Sequence, residues 1–390
     1  MKKNRTLFIV DHCLTPYERI NTAGILCDKG KIIATGSASA FSRNEDGLEV
    51  IELENAYAVP GFIDSHIHGI CEQDTTDAAF DLETMSRLLA ARGVTTFAPT
   101  LVSLPTEEML QTVERLANAI DRGCSYADVC GIHLEGPFLN PEKRGSQTRE
   151  NIRKYDRAFA DELIKAGKGH IKLMTFAPEL DGALELTQQL MENGIIPSMG
   201  HSNADAEKTL VCVDAGVTRC TYVFNGMPQL DHRNASLTTI ALTDDRVSVE
   251  MIVDGIHVHP RMVDLVYRCK PADKLIGISN AVVPQDKEIR KQFANTAPRI
   301  IRNTEGEITG TTLTLDHSWL QLTKFADIPR EQAAACFSTN PAKDLGLITR
   351  GEIRPGRRAD ITIFDKETND VRMTVSRGQI VYDSKDNTPS

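Results

Sequence analysis

The chain has 390 residues, of which 41% are hydrophobic and 25% charged, a composition typical of globular proteins. This length suits one large α/β domain with an appended part, and it is long enough for a large buried core. The formal net charge of −10, without a basic cluster, argues against a nucleic-acid partner, because phosphates would find no positive surface to bind.

The N-terminal segment "MKKNRTLFIVDHC" contains an apolar run that is too short for a signal peptide, and no segment reaches the length of a transmembrane helix. The nine cysteines are scattered along the chain and include no C-x-x-C pair, a pattern typical of reduced thiols. We therefore expect a cytoplasmic protein without a membrane partner.

Both ends of the chain have the pattern of short β-strands. Residues 1–58 contain "TLFIVDHC", "GILCDKGKIIATG" and "GLEVIELENAYAVP", with turns between them and no long helical pattern. The C-terminal runs "GEIRPGRRADITIFD" and "VRMTVSRGQIVYDS" also alternate with a period of two. The sequence therefore predicts a small β-sandwich domain built from residues 1–58 and 345–390.

The middle of the chain, residues 59–344, alternates between short β-rich runs and helical patterns. There are eight such runs: "GFIDSH", "GVTTFAPT", "DVCGIHLEG", "HIKLMTFAPE", "GIIPSMGHS", "RCTYVFNG", "VSVEMIVDG" and "KLIGISNA". Eight strands alternating with helices predict a (β/α)8 TIM-type barrel. A doubly wound parallel sheet is the alternative, but no G-x-G-x-x-G follows the first strand.

The first predicted barrel strand leads into "PGFIDSHIHG", in which two histidines are separated by one residue. Residues i and i+2 of a strand point to the same face, so His66 and His68 could bind one metal ion together. Active sites of such barrels lie at the carboxyl ends of the strands. Further polar side chains follow the other predicted strands, namely Glu135, His201, Tyr222, Asn225, His257 and Asn280. Nitrogen and carboxylate ligands suit Zn²⁺ or Fe²⁺ better than Mg²⁺.

Six motifs resemble one known family: "PGFIDSHIHG", "HLEGPFLNPEKRG", "MGHSNA", "FNGMP", "DGIHVHP" and the closing "GEIRPGRRADITIFD". They resemble the amidohydrolase superfamily, and within it the N-acetylglucosamine-6-phosphate deacetylases and their N-acetylgalactosamine-6-phosphate relatives. The resemblance extends from about residue 20 to 383. It implies a metal-bearing barrel with a sandwich from both termini, and a hydrolase that removes an acetyl group from an amino-sugar 6-phosphate.

The resemblance also implies roles for the metal side of the site. His66 and His68 match the histidines that hold one metal ion in many members. Glu135 matches a ligand that can bridge two ions, and His201 matches a ligand of the second ion. These four positions are the metal ligands that we expect.

The matching positions on the substrate side are implied in the same way. His257 matches a histidine that contacts the sugar. Asn225 and Gly226 match the segment whose backbone amides receive the phosphate. Arg233 resembles an arginine that adds positive charge there from a neighbouring subunit, and we therefore expect a homodimer whose small-molecule partner is a sugar phosphate.

Three positions depart from the family pattern. Tyr222 stands at the place of a metal-binding histidine, and a phenol is a poor ligand because its oxygen has a pKa of about 10. Asn280 stands at the place of an aspartate that is expected to bind metal and act as the general base, and an amide cannot accept that proton. Gln147 stands where a family histidine contacts the substrate. We therefore expect at most one well-occupied ion.

Three functions remain open from the sequence. The chain could be a metal-dependent deacetylase acting on N-acetylglucosamine 6-phosphate, although a slow one because of Asn280. It could be a catalytically impaired relative that still binds a sugar phosphate, or an amidohydrolase that acts on another amide. A single Asp-to-Asn exchange at position 280 would fit an engineered trap, but Tyr222 and Gln147 favour natural divergence.

Overall fold

The computed structural model of the protein describes residues 5–283, 300–302 and 308–386. Its strands are β1 (Arg5–Leu14), β2 (Arg19–Asp28), β3 (Lys31–Ser37), β4 (Leu48–Pro60), β5 (Phe62–Ile67), β6 (Gly69–Ile70), β7 (Gln73–Asp74), β8 (Val94–Val102), β9 (Asp128–Val129), β10 (Ile132–Glu135), β11 (Ile171–Phe176), β12 (Ile196–Met199), β13 (Arg219–Cys220), β14 (Ser248–Ile252), β15 (Leu275–Ile278), β16 (Ile300–Arg302), β17 (Ile308–Thr311), β18 (Ile361–Asp365), β19 (Val371–Ser376) and β20 (Gln379–Asp383).

Its α-helices are α1 (Leu82–Ala90), α2 (Thr106–Arg122), α3 (Arg157–Ala166), α4 (Ala183–Glu192), α5 (Ala206–Asp214), α6 (Leu237–Thr243), α7 (Pro260–Cys269), α8 (Leu315–Phe325), α9 (Arg330–Phe337) and α10 (Thr339–Asp344). Short 3-10 helices lie at Ala38–Ala40 and Arg149–Asn151. Within the described ranges no helix combines the length and the apolar character needed to cross a membrane.

The two ends of the chain form one seven-stranded sheet in the order β20-β19-β18-β4-β1-β2-β3. Strand β4 joins the two ends, because it pairs in parallel with β1 and antiparallel with β18. An apolar cluster that includes Phe8, Ile25, Ile363 and Val375 covers the buried face. The prediction that both termini build one separate β structure is therefore confirmed as a sheet, while its organisation as a sandwich domain remains a prediction. Its boundaries at residues 58 and 345 remain predictions; β4 continues to Pro60.

The predicted barrel is also confirmed. Eight parallel strands follow one another in the order β5-β8-β10-β11-β12-β13-β14-β15, and β9 pairs with β8 beside them. The backbone N–H of Asn280, just after β15, donates to the carbonyl oxygen of His66 in β5 at 3.0 Å. The last strand therefore adjoins the first, which excludes the doubly wound sheet. Every residue of β5 is buried, as expected for a parallel strand covered on both faces.

Helix α2 illustrates how the sequence pattern directs the packing of the outer layer. Its buried residues Met109, Val113 and Leu116 recur at intervals of three and four, and so form one apolar stripe that packs on the core. The helix ends at Gly123, whose φ of +78° is readily adopted only by glycine.

An aromatic cluster joins the terminal sheet to the barrel. Phe364 of β18 stacks on Tyr57 of β4 at 5.4 Å between ring centroids. It also lies 5.9 Å from Phe62 of β5 and 5.3 Å from Trp319 of α8. All four rings are buried. The cluster therefore couples the stability of the sheet to that of the barrel.

We expect Phe364→Ala to lower the free energy of unfolding by about 3–5 kcal/mol, because it removes a buried ring and leaves a cavity between the two parts. Ile380→Ala is the control, since Ile380 lies in the same sheet but is exposed, and it should change stability by no more than about 0.5 kcal/mol. Urea unfolding followed by circular dichroism measures both variants. Equal unfolding midpoints would contradict the coupling role of the cluster.

Candidate active site

A cavity of about 960 Å³ opens at the carboxyl ends of the barrel strands. The residues predicted from the sequence that line it are His68, Glu135, Gln147, His201, Tyr222, Asn225, Gly226, His257 and Asn280. His66 is fully buried directly beneath His68. Arg233 is exposed and is not part of the cavity wall. The structure thus brings together all the predicted site residues except Arg233, while their individual roles remain predictions.

Three buried donors form the centre of the site. His66 Nε2 lies 3.3 Å from His68 Nε2 and 3.8 Å from Glu135 Oε1, and His68 Nε2 lies 3.4 Å from Glu135 Oε2. One ligand atom from each residue lies within 4.8 Å of the other two, a spacing that one ion can bridge. Burial raises the pKa of the Glu135 carboxyl, but the hydrogen bond from His201 and the imidazoles of His68 and His66 outweigh it and hold that pKa well below its usual range.

The orientation of His66 favours metal binding. Its Nδ1 lies 3.0 Å from Glu250 Oε2, so an Nδ1–H donated to this carboxylate leaves the Nε2 lone pair directed at His68 and Glu135. Burial raises the pKa of the Glu250 carboxyl, but the Arg219 guanidinium and His66 hold it well below its usual range. Two imidazole nitrogens and one carboxylate form a donor set that suits a divalent transition metal.

Asn280 lies at the edge of this donor set. Its Oδ1 is 3.2 Å from His68 Nε2, so the amide oxygen is directed at the centre of the site. Its backbone adopts a φ of +46°, a left-handed conformation that Asn and Asp adopt more readily than most residues. Asn280 can therefore act as a hydrogen-bond partner here, but its amide has no basic group for proton transfer.

Tyr222 fills the space between Glu135 and His201. Its hydroxyl contacts both Glu135 Oε1 and His201 Nε2, and these two atoms lie 2.9 Å apart. Burial, followed by the nearby Glu135 carboxylate, raises the pKa of the phenol well above its usual value, so the hydroxyl stays protonated. Among the described residues, His201 belongs to neither of the two donor groups that are close enough to hold an ion. A neutral hydroxyl thus lies where a second ion would need a ligand.

The loop after β13 is packed tightly against the metal side. Gly226 has a φ of +59°, and a Cβ atom on it would lie 2.9 Å from His201 Nδ1 and 3.0 Å from the carbonyl oxygen of Lys143. That same carbonyl accepts a hydrogen bond from His201 Nδ1 at 2.6 Å. The Nζ of Lys143 donates to the carbonyl of Met227 at 3.1 Å. The segment at Lys143 therefore fixes both His201 and the loop that contains Asn225.

Arg144 is a functional candidate that sequence reasoning missed. It lines the cavity together with Gly145, Asn225 and Gly226, and its Nη1 donates to the carbonyl of Pro141 at 3.2 Å. Arg233, by contrast, is exposed; its backbone N–H donates to Asp231 at 2.7 Å. The signal for Arg144 was present in "EKRGSQ", three residues before Gln147, but a basic residue in a loop is usually solvated.

His257 is oriented by a carboxylate that the sequence analysis did not single out. Its Nδ1 lies 2.6 Å from Asp254 Oδ2, and the backbone N–H groups of Ile256 and His257 each donate to Asp254 Oδ1 at 2.8 Å. With Nδ1 bonded to Asp254, the Nε2 atom of His257 is the one available to the cavity.

Gln147 is engaged by the protein itself. Its Oε1 accepts a hydrogen bond from the backbone N–H of Ser103 at 2.9 Å, and its Nε2 donates to the carbonyl of Glu135 at 3.2 Å. The side chain therefore ties the loop after β8 to the end of β10. Both functional groups of this buried amide are used, which favours a structural role at the wall of the cavity.

Comparison with known proteins gives one consistent result. The amidohydrolase family matches residues 57–388. N-acetylglucosamine-6-phosphate deacetylase of Bacillus subtilis (strain 168) is 33% identical over 84% of this chain and 85% of its own length. N-acetylgalactosamine-6-phosphate deacetylase of Escherichia coli O157:H7 is 29% identical over 91% of this chain and 95% of its own. The crystal structure of N-acetyl-D-glucosamine-6-phosphate deacetylase from Mycobacterium smegmatis superposes with a TM-score of 0.85 at 29% identity, over 97% of this chain and all of that one.

We expect Gly226→Ala to destabilise the protein more than Gly346→Ala. Both glycines have a positive φ, of +59° and +67°, so each alanine costs about 1–2 kcal/mol of backbone strain. A Cβ at position 346 meets no atom within 4 Å, whereas one at 226 meets His201. The additional overpacking should cost about 1–3 kcal/mol, measured by urea unfolding. Equal losses of stability in the two variants would show that His201 can move aside without an energetic cost.

Proposed function

Because the chain belongs to the amidohydrolase family, we propose that it hydrolyses the acetamide of an N-acetylated amino-sugar 6-phosphate to acetate and the free amine. N-acetylglucosamine 6-phosphate is the substrate that we infer, in accordance with the names of several relatives. The observation that best supports the proposal is one cavity that holds a buried His–His–Glu donor set beside the Asn225–Gly226 loop.

A single divalent ion, Zn²⁺ or Fe²⁺, fits the donor set of His66, His68 and Glu135. When bound, it would supply Lewis-acid chemistry to the acetamide and to the attacking water. The hydroxyl of Tyr222 contacts Glu135 Oε1 on the side where His201 lies, which favours one ion over two. His201, whose Nε2 lies 2.9 Å from the same oxygen, would then hold Glu135 in place.

The remaining residues bind and orient the substrate. His257, fixed by Asp254, presents Nε2 to the sugar. Asn225 and Gly226 line the cavity. The backbone N–H of Asn225 donates to the carbonyl of Tyr222 at 3.1 Å, so the N–H of Gly226 would receive the phosphate, with Arg144 from the same chain on the adjoining wall. Arg233 would add a second positive charge only from a partner subunit, and we therefore propose a homodimer.

Proton transfer is the step of this mechanism for which the residue at position 280 is poorly suited. The attacking water must lose a proton and the departing amine must gain one, and a positioned base typically accelerates such a step by about 10²–10⁴-fold. Asn280 lies at the expected position, 3.2 Å from His68, but cannot perform the transfer. A slow deacetylase is therefore the function that we infer.

A protein that binds the sugar phosphate without turnover is the second candidate. Asn280 and Tyr222 favour it, because both changes affect proton transfer and metal binding and leave the Asn225–Gly226 loop intact. An amidohydrolase with another amide substrate would differ by showing no preference for a 6-phosphate.

Metal analysis combined with one turnover assay separates the first two of these functions. Elemental analysis of protein purified without chelators should give about one equivalent of Zn or Fe, because a buried donor set of this kind copurifies with its ion. The same preparation should convert N-acetylglucosamine 6-phosphate well below the typical enzyme rate of about 10 s⁻¹. Two fully occupied ions, or less than about a tenth of an equivalent, would contradict the mononuclear site, and an ordinary rate would contradict the role given to Asn280.

We expect Asn280→Asp to raise kcat by at least about 10²-fold, because it restores a carboxylate that can take and return the proton. KM should change much less, since the proton moves only in the transition state. Asp tolerates the φ of +46° as Asn does, so the exchange adds little strain. Asn280→Ala is the control and should gain nothing. A gain in both variants, or in neither, would contradict the assignment of the base position.

We expect Arg144→Gln to weaken binding of the phosphorylated sugar and to leave the unphosphorylated sugar nearly unaffected. A charge-assisted hydrogen bond is worth about 1.5–3 kcal/mol, or about tenfold in affinity or more. Isothermal titration calorimetry measures both ligands, with Arg233→Gln as the parallel variant. An effect of Arg233→Gln in a dimeric protein would support the contribution of the partner subunit. Equal affinity of the parent protein for both sugars would contradict a phosphate site.

A further inference from the structure

Beneath the proposed metal site lies a largely buried cluster of charged side chains. Arg219 of β13 contacts Glu250 of β14 and Asp344 at the end of α10, and its Nη2 donates to Ser65 Oγ of β5 at 2.7 Å. Arg219 and Glu250 have no solvent exposure. Burying an ion pair often costs more than the pair returns, so its presence calls for a reason other than stability.

The cluster is connected to the metal side through one hydrogen bond. Glu250 Oε2 lies 3.0 Å from His66 Nδ1, while Glu250 Oε1 contacts Arg219 and lies 3.4 Å from Ser65 Oγ. Each carboxylate oxygen therefore has its own partner. Arg219, a donor that cannot accept, fixes which oxygen is left for His66.

The cluster is not itself a metal site, although His66, His133 and Glu250 lie close enough together to hold an ion. Both ring nitrogens of His133 are engaged, Nδ1 with the carbonyl of Ser65 at 3.1 Å and Nε2 with Thr175 Oγ1 at 2.8 Å. The guanidinium of Arg219 also lies against Glu250, where it would repel a cation. His133 and Glu250 therefore do not hold an ion of their own but support the neighbouring proposed metal site.

We propose that Glu250, held by Arg219, is a positioning residue that fixes the ring of His66 so that Nε2 is its metal-binding atom. The inference rests on the metal site proposed above. A histidine ligand whose other nitrogen donates to a carboxylate has one defined tautomer and ring orientation, and losing such a partner typically lowers metal affinity by about 10–100-fold.

The isosteric variant Glu250→Gln separates positioning from packing. Glutamine keeps the volume but replaces one oxygen with an NH₂ group. If that group faces Arg219, two donors meet; if it faces His66, the ring must present a lone pair at Nδ1 and a proton at Nε2. The first arrangement is disfavoured because Arg219 has only donors to offer, and the second removes the lone pair that Nε2 would offer to a metal ion.

Asp344→Asn is the matched control, because it weakens the pairing of the same Arg219 without touching His66. Each purified variant is stripped with a chelator, and zinc affinity is measured by competition with a chromophoric chelator, alongside urea unfolding of the metal-free protein. Both variants should lose stability. Zinc affinity should fall at least about tenfold for Glu250→Gln and stay within about twofold for Asp344→Asn.

A parent protein that binds zinc while Glu250→Gln binds it equally well would overturn the inference and leave the proposed function standing. A parent protein that binds no zinc would overturn both. Similar losses of affinity in the two variants would indicate a purely structural cluster and would also overturn the inference.

A second measurement on the parent protein does not depend on the folding of any variant. With ¹¹³Cd in the site and ¹⁵N-labelled histidine, scalar coupling identifies the coordinating nitrogen. Coupling of cadmium to Nε2 of His66, with a slowly exchanging proton on Nδ1, is the expected result. Coupling to Nδ1, or a His66 ring without any coupling, would overturn the proposal.

Discussion

The site depends on the closure of the barrel, and the closure is visible in one hydrogen bond. The backbone N–H of Asn280 donates to the carbonyl of His66 at 3.0 Å, at the point where the last strand meets the first. The side chains of His68 and Asn280 are consequently 3.2 Å apart, although 212 positions separate them in the chain. In an open sheet these residues would lie at opposite edges, and no common site would form.

Within the closed barrel, Glu135 is the residue that several other side chains of the site contact. Its carboxylate lies within hydrogen-bonding reach of His68 and His201 and contacts Tyr222 as well. A buried carboxylate needs such partners, because an unpaired charge in the interior is very costly. The neutral hydroxyl of Tyr222 provides a partner without adding positive charge. The same contact occupies a lone pair that a second ion would need, and the substitution therefore supports both a satisfied Glu135 and a mononuclear site.

The sequence was sufficient for those parts of the molecule that follow from periodicity. The alternating β and α pattern predicts the eight barrel strands, and the rule that chemistry gathers at strand ends predicts His66, Glu135 and Asn280 together. Glu250 and Arg219 were not predicted, because a single charged residue in a predicted strand does not show which partner it contacts. Their role becomes apparent only from the contact between the two side chains across β13 and β14. Arg233 shows a different limit of sequence analysis. It lies outside the cavity of its own chain, so it could contribute only to the site of a partner subunit.

The formal charges around His66 connect the donor set above its ring with the buried cluster below it. Glu135 contributes one negative charge above the ring, and the cluster of Arg219, Glu250 and Asp344 contributes a net negative charge below it. A further buried carboxyl, that of Asp64, accepts a hydrogen bond from the backbone N–H of His66 at 3.3 Å, so the carboxylates around His66 provide the negative charge that one divalent ion would need. The amide at position 280 is compatible with one ion, because the negative charge that an aspartate would supply is already present on the other side of His66.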